Sequence, residues 1–136
     1  MDTGPLVALL DSSEAAHELV RDYLAGTERQ RFVTTGAVIT EAFYFLADVQ
    51  DGPARLASFL DASATEIRDA FGADALSAAV RLMNKYADTP MDFSDATLVW
   101  LAEQIGSEEI LTLDRRGFST FRFGRSHKFK LVLDAV

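Results

Sequence analysis

Residues 109–118 read Glu109-Ile110-Leu111-Thr112-Leu113-Asp114-Arg115-Arg116-Gly117-Phe118. The run from Glu109 to Leu113 is rich in residues that suit a half-buried extended chain, so it predicts a strand, with Asp114 at its carboxyl end. That is where open α/β sheets present polar groups to ligands. Three further acids have a similar setting. Asp95 opens the amphipathic run Ala96 to Ile105, and Asp2 precedes the apolar stretch that includes Leu6 to Leu10. Glu41 interrupts an apolar segment, with Ala37-Val38-Ile39-Thr40 before it and Ala42-Phe43-Tyr44-Phe45-Leu46 after it. A carboxylate there is costly unless it is paired or bound to a metal. Folding that brings Asp2, Glu41, Asp95 and Asp114 to one end of a sheet would build a divalent-cation cluster.

The spacing of apolar residues around these acids predicts an α/β order. Gly4-Pro5 turns into a short helix over Leu6 to Leu10, and Asp11-Ser12-Ser13 can cap a second helix running through Ala25. His17 lies beside the apolar stripe of that helix and reads as a surface residue rather than a ligand. Phe32-Val33-Thr34 is a strand candidate, followed by a helix from Ala37 to Leu46 that ends at Asp48 to Pro53. Ala54 to Leu60 suits a helix and Thr65 to Ile67 a strand. From Ala73 to Tyr86, Leu76, Ala79, Val80 and Met83 recur near the helical period. Thr89-Pro90 breaks that helix, Asp92 or Ser94 can cap the next, and Gly106 ends it. Ile110 to Leu113 and Lys130 to Leu133 complete the strands. Short strands alternating with helices imply a layered α/β fold with a mostly parallel central sheet of four or five strands, flanked by helices.

With 136 residues, 49% of them hydrophobic, the expectation is a single domain over 1–136. The absence of cysteine excludes disulfides, thiolate zinc sites and cysteine nucleophiles. Only two histidines, His17 and His127, are present, which argues against histidine-rich metal chemistry and leaves oxygen ligands, the preference of Mg and Mn. There is no apolar run of about 18 residues and no basic-apolar leader, so no membrane association and a soluble, cytoplasmic protein are expected.

The net charge of −8 would by itself argue against nucleic acid, yet the charge is unevenly distributed. Residues 1–114 hold seven Lys and Arg against twenty Asp and Glu, whereas 115–136 hold six basic residues and one acid, Asp134. The basic set is Arg115, Arg116, Arg122, Arg125, Lys128 and Lys130, interleaved with Phe118, Phe121, Phe123 and Phe129. Such interleaving reads either as an RNA-binding surface that contacts phosphates and stacks bases, or as a solvated tail whose aromatics enter the core.

In their order along almost the whole chain, four segments resemble the PIN-domain family, specifically the VapC-type toxin ribonucleases of toxin-antitoxin pairs. The segments are Asp2-Thr3-Gly4-Pro5-Leu6-Val7-Ala8-Leu9-Leu10-Asp11, Thr40-Glu41, Pro90-Met91-Asp92-Phe93-Ser94-Asp95-Ala96 and Leu111 to Phe118. The resemblance implies a three-layer PIN-like domain and a Mg- or Mn-dependent endoribonuclease. Asp2, Glu41, Asp95 and Asp114 would be its catalytic, metal-binding carboxylates, with Asp92 as an accessory acid and Thr3 and Thr112 as supporting hydroxyls. It also implies an RNA substrate and a small VapB-like antitoxin. A homodimer is expected from apolar helix faces around Leu9, Leu19, Phe43, Phe45 and Phe59. Family members carry an apolar first strand before the first aspartate, whereas here Asp2 follows Met1, so the expectation is a sheet one strand short.

Physical chemistry supports the metal reading: converging carboxylates raise one another's proton affinity and are stable as anions mainly when a cation neutralises them. An ion can lower the pKa of bound water and stabilise charge developing on a phosphate, and one ion or two remain open. Each acid also has a plainer use: Asp92 as a helix cap, Asp95 at a helix dipole, Asp114 in a turn with Gly117. The alternative function is a catalytically inactive RNA- or protein-binding module on the same fold.

Overall fold

Parallel pairing organises the chain in the computed structural model, which describes residues 1–27 and 29–135. The helices are α1 (Thr3–Leu10), α2 (His17–Ala25), α3 (Gly36–Leu46), α4 (Gly52–Ala62), α5 (Ala73–Lys85), α6 (Phe93–Ile105) and α7 (Arg115–Thr120). The strands are β1 (Val33–Thr35), β2 (Glu66–Arg68), β3 (Glu109–Ile110), β4 (Arg122–Phe123), β5 (His127–Lys128) and β6 (Lys130–Leu131). β1 pairs parallel with β2 and β3 parallel with β6, while β4 and β5 form an antiparallel hairpin.

The two parallel pairs meet through Met1 and Asp2. The Met1 amine donates to the Val33 carbonyl at 2.8 Å, and the Asp2 N–H donates to the Leu111 carbonyl at 2.9 Å. Bonding alternately to the two sides is what successive residues of a central strand do. The Thr34 hydroxyl adds a bond to the Met1 carbonyl at 2.6 Å. Met1 and Asp2 thus stand in a strand's place between β1 and the segment after β3, and Asp2 is firmly anchored.

The ladders form three two-stranded sheets in place of one sheet of four or five strands, and helices cover the two parallel pairs because their apolar faces need it. α1 packs against α2 and α3, α5 packs against α6, and α6 also lies on β1. Leu6, Val20, Val38, Leu46, Leu56 and Val99 are all at most 2% exposed and fill the space between layers. α6 is closed at both ends by local chemistry. Asp92 and Asp95 form a reciprocal capping box at its start, and Gly106, at φ 66°, takes the left-handed turn that ends it.

Four local expectations change. The helix expected after Ser13 begins only at His17, after a series of turns, and His17 is no free surface residue, because its Nδ1 lies 2.7 Å from the Ala8 carbonyl and ties α2 to α1. The strand expected over Ile110 to Leu113 keeps its ladder only over Glu109–Ile110, and the next carbonyl, that of Leu111, accepts the Asp2 N–H. The strand expected to reach Leu133 gives way to a 3-10 turn over Val132–Ala135. Finally, α7 and the β4–β5 hairpin lie within what the sequence presented as a basic tail. Among the described residues, no helix is long and apolar enough to cross a membrane.

Candidate active site

Asp2 is 7% exposed and its two carboxylate oxygens have separate tasks. Oδ1 caps α1 by accepting the Thr3 N–H at 2.7 Å, and Oδ2 accepts the Thr112 hydroxyl at 2.7 Å. Burial pushes its pKa up, opposed by these hydrogen bonds and by the Met1 amine, while the charge of Asp92 pushes it further up. The same Thr112 hydroxyl oxygen accepts the Asp114 N–H at 3.0 Å. One hydroxyl therefore connects Asp2 and Asp114, the first and last of the candidate site acids.

Glu41 is half-buried on α3, and its pKa is raised first by desolvation and then by the charges of Asp92 and Asp2. The Thr3 hydroxyl lies close enough to favour its ionised form, yet that hydroxyl is buried without a hydrogen bond of ordinary length. A buried orphan oxygen among carboxylates is unusual, because such groups normally find a partner. Asp95 is strongly perturbed: burial, then the charges of Asp2 and Asp92, push its pKa up to about 8. Its backbone N–H donates to Asp92 Oδ1 at 2.8 Å, and its Oδ2 accepts the Asp92 N–H at 3.3 Å.

Asp2, Glu41, Asp92 and Asp95 therefore share one electrostatic site at the starts of α1 and α6 and along α3. Asp114 stands at its edge, reached through Thr112, with its own Oδ1 capping α7 through the Gly117 N–H at 2.9 Å. A Cβ at Gly117 would collide with that carboxylate, which explains the glycine. Among the described residues, no three of these acids are already closed around one point as a ready-made cation cage. Asp92 and Asp95 are instead turned onto each other's backbone. The donor set is nevertheless all hard oxygen, includes an unpartnered hydroxyl and carries mutual repulsion, and those three properties fit Mg or Mn.

Support that the sequence did not suggest comes from hydroxyls on the buried side of α6. Thr97 and Thr35 bond each other at 2.8 Å, and Ser94 donates to the Ala37 carbonyl at 3.4 Å, so the helix bearing Asp95 is locked to the helix bearing Glu41. The only available signal was polar residues on an otherwise apolar helix face.

The basic segment separates into different roles. Arg115 pairs with Asp134 at 2.8 Å and Lys130 lies 3.6 Å from Glu109. One guanidinium nitrogen of Arg122 donates to the carbonyls of Ser119, Thr120 and Phe121 at the end of α7. Arg116, Arg125 and Lys128 are exposed. Phe118, Phe121, Phe123 and Phe129 are not a stacking surface: they are 0 to 9% exposed and pack edge-on or tilted against one another. Burying four rings gains far more than leaving them in water.

Residues 1–124 match the family model of the PIN domain. The chain is 33% identical over 124 residues to Ribonuclease VapC26 of Mycobacterium tuberculosis (strain ATCC 25618 / H37Rv), covering 90% of each chain. In structure it is similar to Mycobacterium tuberculosis VapC20, described as a sarcin-ricin loop cleaving toxin. The TM-score is 0.77 at 17% identity, covering 88% of this chain and 93% of that one.

Proposed function

The chain belongs to the PIN-domain family, on its VapC branch, and from that premise we propose that it is a metal-dependent endoribonuclease acting as the toxin of a toxin-antitoxin pair. The observation that carries the reading is the convergence of Asp2, Glu41, Asp92 and Asp95, where burial and then the neighbouring acidic charges raise the proton affinities of Asp2, Glu41 and Asp95. Asp2, Glu41 and Asp95 are the residues to hold Mg or Mn, with Asp92 and Asp114 completing the set. When bound, the ion supplies Lewis-acid stabilisation of phosphate charge and a water of lowered proton affinity. The chain's own groups position these carboxylates. Thr112 fixes Asp2 and the Asp114 backbone, the capping box fixes Asp95, and the Thr35–Thr97 bond fixes the separation of α3 and α6.

On this reading the exposed Arg116, Arg125 and Lys128 steer the RNA backbone. Arg115 and Lys130 already face carboxylates and contribute by field rather than by free hydrogen bonds, and Arg122 spends one guanidinium nitrogen on carbonyls. The reading places the protein in the cytoplasm with its substrate.

Partners are argued from the end of α3. Phe43, Tyr44 and Phe45 are 38, 77 and 55% exposed, and Leu19 is 41% exposed, whereas Leu9 and Phe59 pack against the core. An apolar cluster of that kind suits a homodimer or an antitoxin helix. Calorimetric titration with Mn tests the metal site: binding in the micromolar range that is lost in Asp95→Asn is expected. No binding by the folded parent protein, even with RNA present, would favour a non-enzymatic binding module.

A further inference from the structure

On the side of α6 away from its capping box lies a cleft of about 240 Å³ between α5, α6 and the β4–β5 hairpin. Its walls combine Arg81 and Lys85 from α5, Trp100 and Glu103 from α6, and Arg122 and Phe123 from the hairpin. We propose that this cleft is a second nucleic-acid subsite that holds one nucleotide of a single-stranded RNA, with its base against Trp100 and its phosphate on Arg81, Lys85 and Arg122. The assignment of RNA as the occupant rests on the ribonuclease reading.

Three cations against one carboxylate give the cleft a positive balance in a chain whose net charge is −8. None of the three cations takes part in the ion pairs formed among the described residues. Arg81 and Lys85 are one helical turn apart and so project from the same face of α5. Arg122 is pre-oriented, because one guanidinium nitrogen is held by three carbonyls, while no hydrogen bond from its other nitrogens forms among the described residues. A guanidinium held in this way loses little freedom on meeting a phosphate.

The aromatic wall supplies the second half of the recognition. The partly exposed Trp100 and the buried Phe123 line the same cleft as the cations and supply its aromatic wall. Base stacking on such a surface tolerates any sequence. A flat ring beside a phosphate site distinguishes a nucleotide from an acidic peptide, which would need the charge alone. Trp100 follows Asp95 by five residues on α6, about 7.5 Å along the axis and about 140° around it, so the cleft and the acids open on different faces of the helix and an RNA strand engaging both crosses over α6.

Trp100 is the chain's only tryptophan, so its fluorescence reports on this cleft. Titration with a six-nucleotide oligoadenylate in chelator, where metal-dependent hydrolysis is blocked, is expected to quench it saturably. The apparent Kd should rise about tenfold or more in the double variant Arg81→Glu/Lys85→Glu and fall in Glu103→Gln. Labelled-RNA anisotropy should show Trp100→Phe retaining binding and Trp100→Ala losing most of it. Absence of quenching, quenching unchanged by the double charge reversal, or equal quenching by a polyglutamate peptide would overturn the proposal. The Asp95→Asn protein should quench like the parent. Quenching without any cleavage in Mn would sink the ribonuclease reading and leave the cleft, whereas cleavage with an unaltered KM in the double variant would sink the cleft alone.

Discussion

Asp95 carries the clearest consequence at the scale of a single residue. Its carboxyl is pushed up to about 8, whereas an unfolded aspartate titrates near 4. Between those values the folded chain holds a proton that the unfolded chain has released, so this contribution to stability is complete below about pH 4 and is lost as the pH rises toward 8. Asp2 and Glu41 are raised in the same direction and add to the loss. The Met1 amine is lowered to about 6, which works the opposite way between about pH 6 and 8, but its displacement is smaller than that of Asp95. Without divalent ions, the Tm should therefore be lower at pH 8 than at pH 5. Mn at pH 8 should restore it, since the cation binds the deprotonated acids. Asp95→Asn should flatten the profile. A Tm that rises from pH 5 to 8 in chelator would contradict the assigned repulsion.

At the scale of elements, α7 and the hairpin after it turn a basic tail into structure. Phe118 and Phe121 are fully buried, with ring centroids 5.2 Å apart, and Phe118 also meets Phe129 at 5.3 Å. Phe118→Ala should cost about 3 to 5 kcal/mol in denaturant unfolding, the usual cost of emptying a core aromatic. A cost below about 1 kcal/mol would place that ring outside the core. The basic-aromatic alternation of 115–130 was ambiguous in the sequence because both a stacking surface and a strand-turn-strand edge alternate polar and apolar residues. α3, α5 and α6 were legible because their apolar residues recur at the helical period over more than ten positions. The acids were legible for a different reason: Glu41 sits where a charge is hard to bury. What the sequence could not reveal was the use of each oxygen. The cap at Asp92 was legible because it is local, but that Thr112 serves Asp2 and Asp114 together depends on a hydrogen bond between residues 110 positions apart.

At the scale of the whole molecule, the proposed function assigns association to the exposed rings at the end of α3 and metal binding to the acids at the starts of α1 and α6. Phe45→Glu should leave the fold intact and shift a concentration-dependent dimer toward monomer in light scattering, because an exposed ring contributes to association and little to the core. A parent chain that is monomeric at every concentration and forms no complex with a small antitoxin would contradict the assignment of that surface. The central claim is that the carboxylate cluster hydrolyses RNA through a bound divalent ion. Its most direct test is a time course of cleavage of single-stranded RNA by the purified chain in Mn and in chelator, with Asp95→Asn alongside. The account predicts internal cleavage in Mn, none in chelator, and a rate reduced at least about a hundredfold in the folded variant, on the scale of losing an electrostatic catalytic group. Equal cleavage in chelator, or an Asp95→Asn protein as fast as the parent, would contradict it.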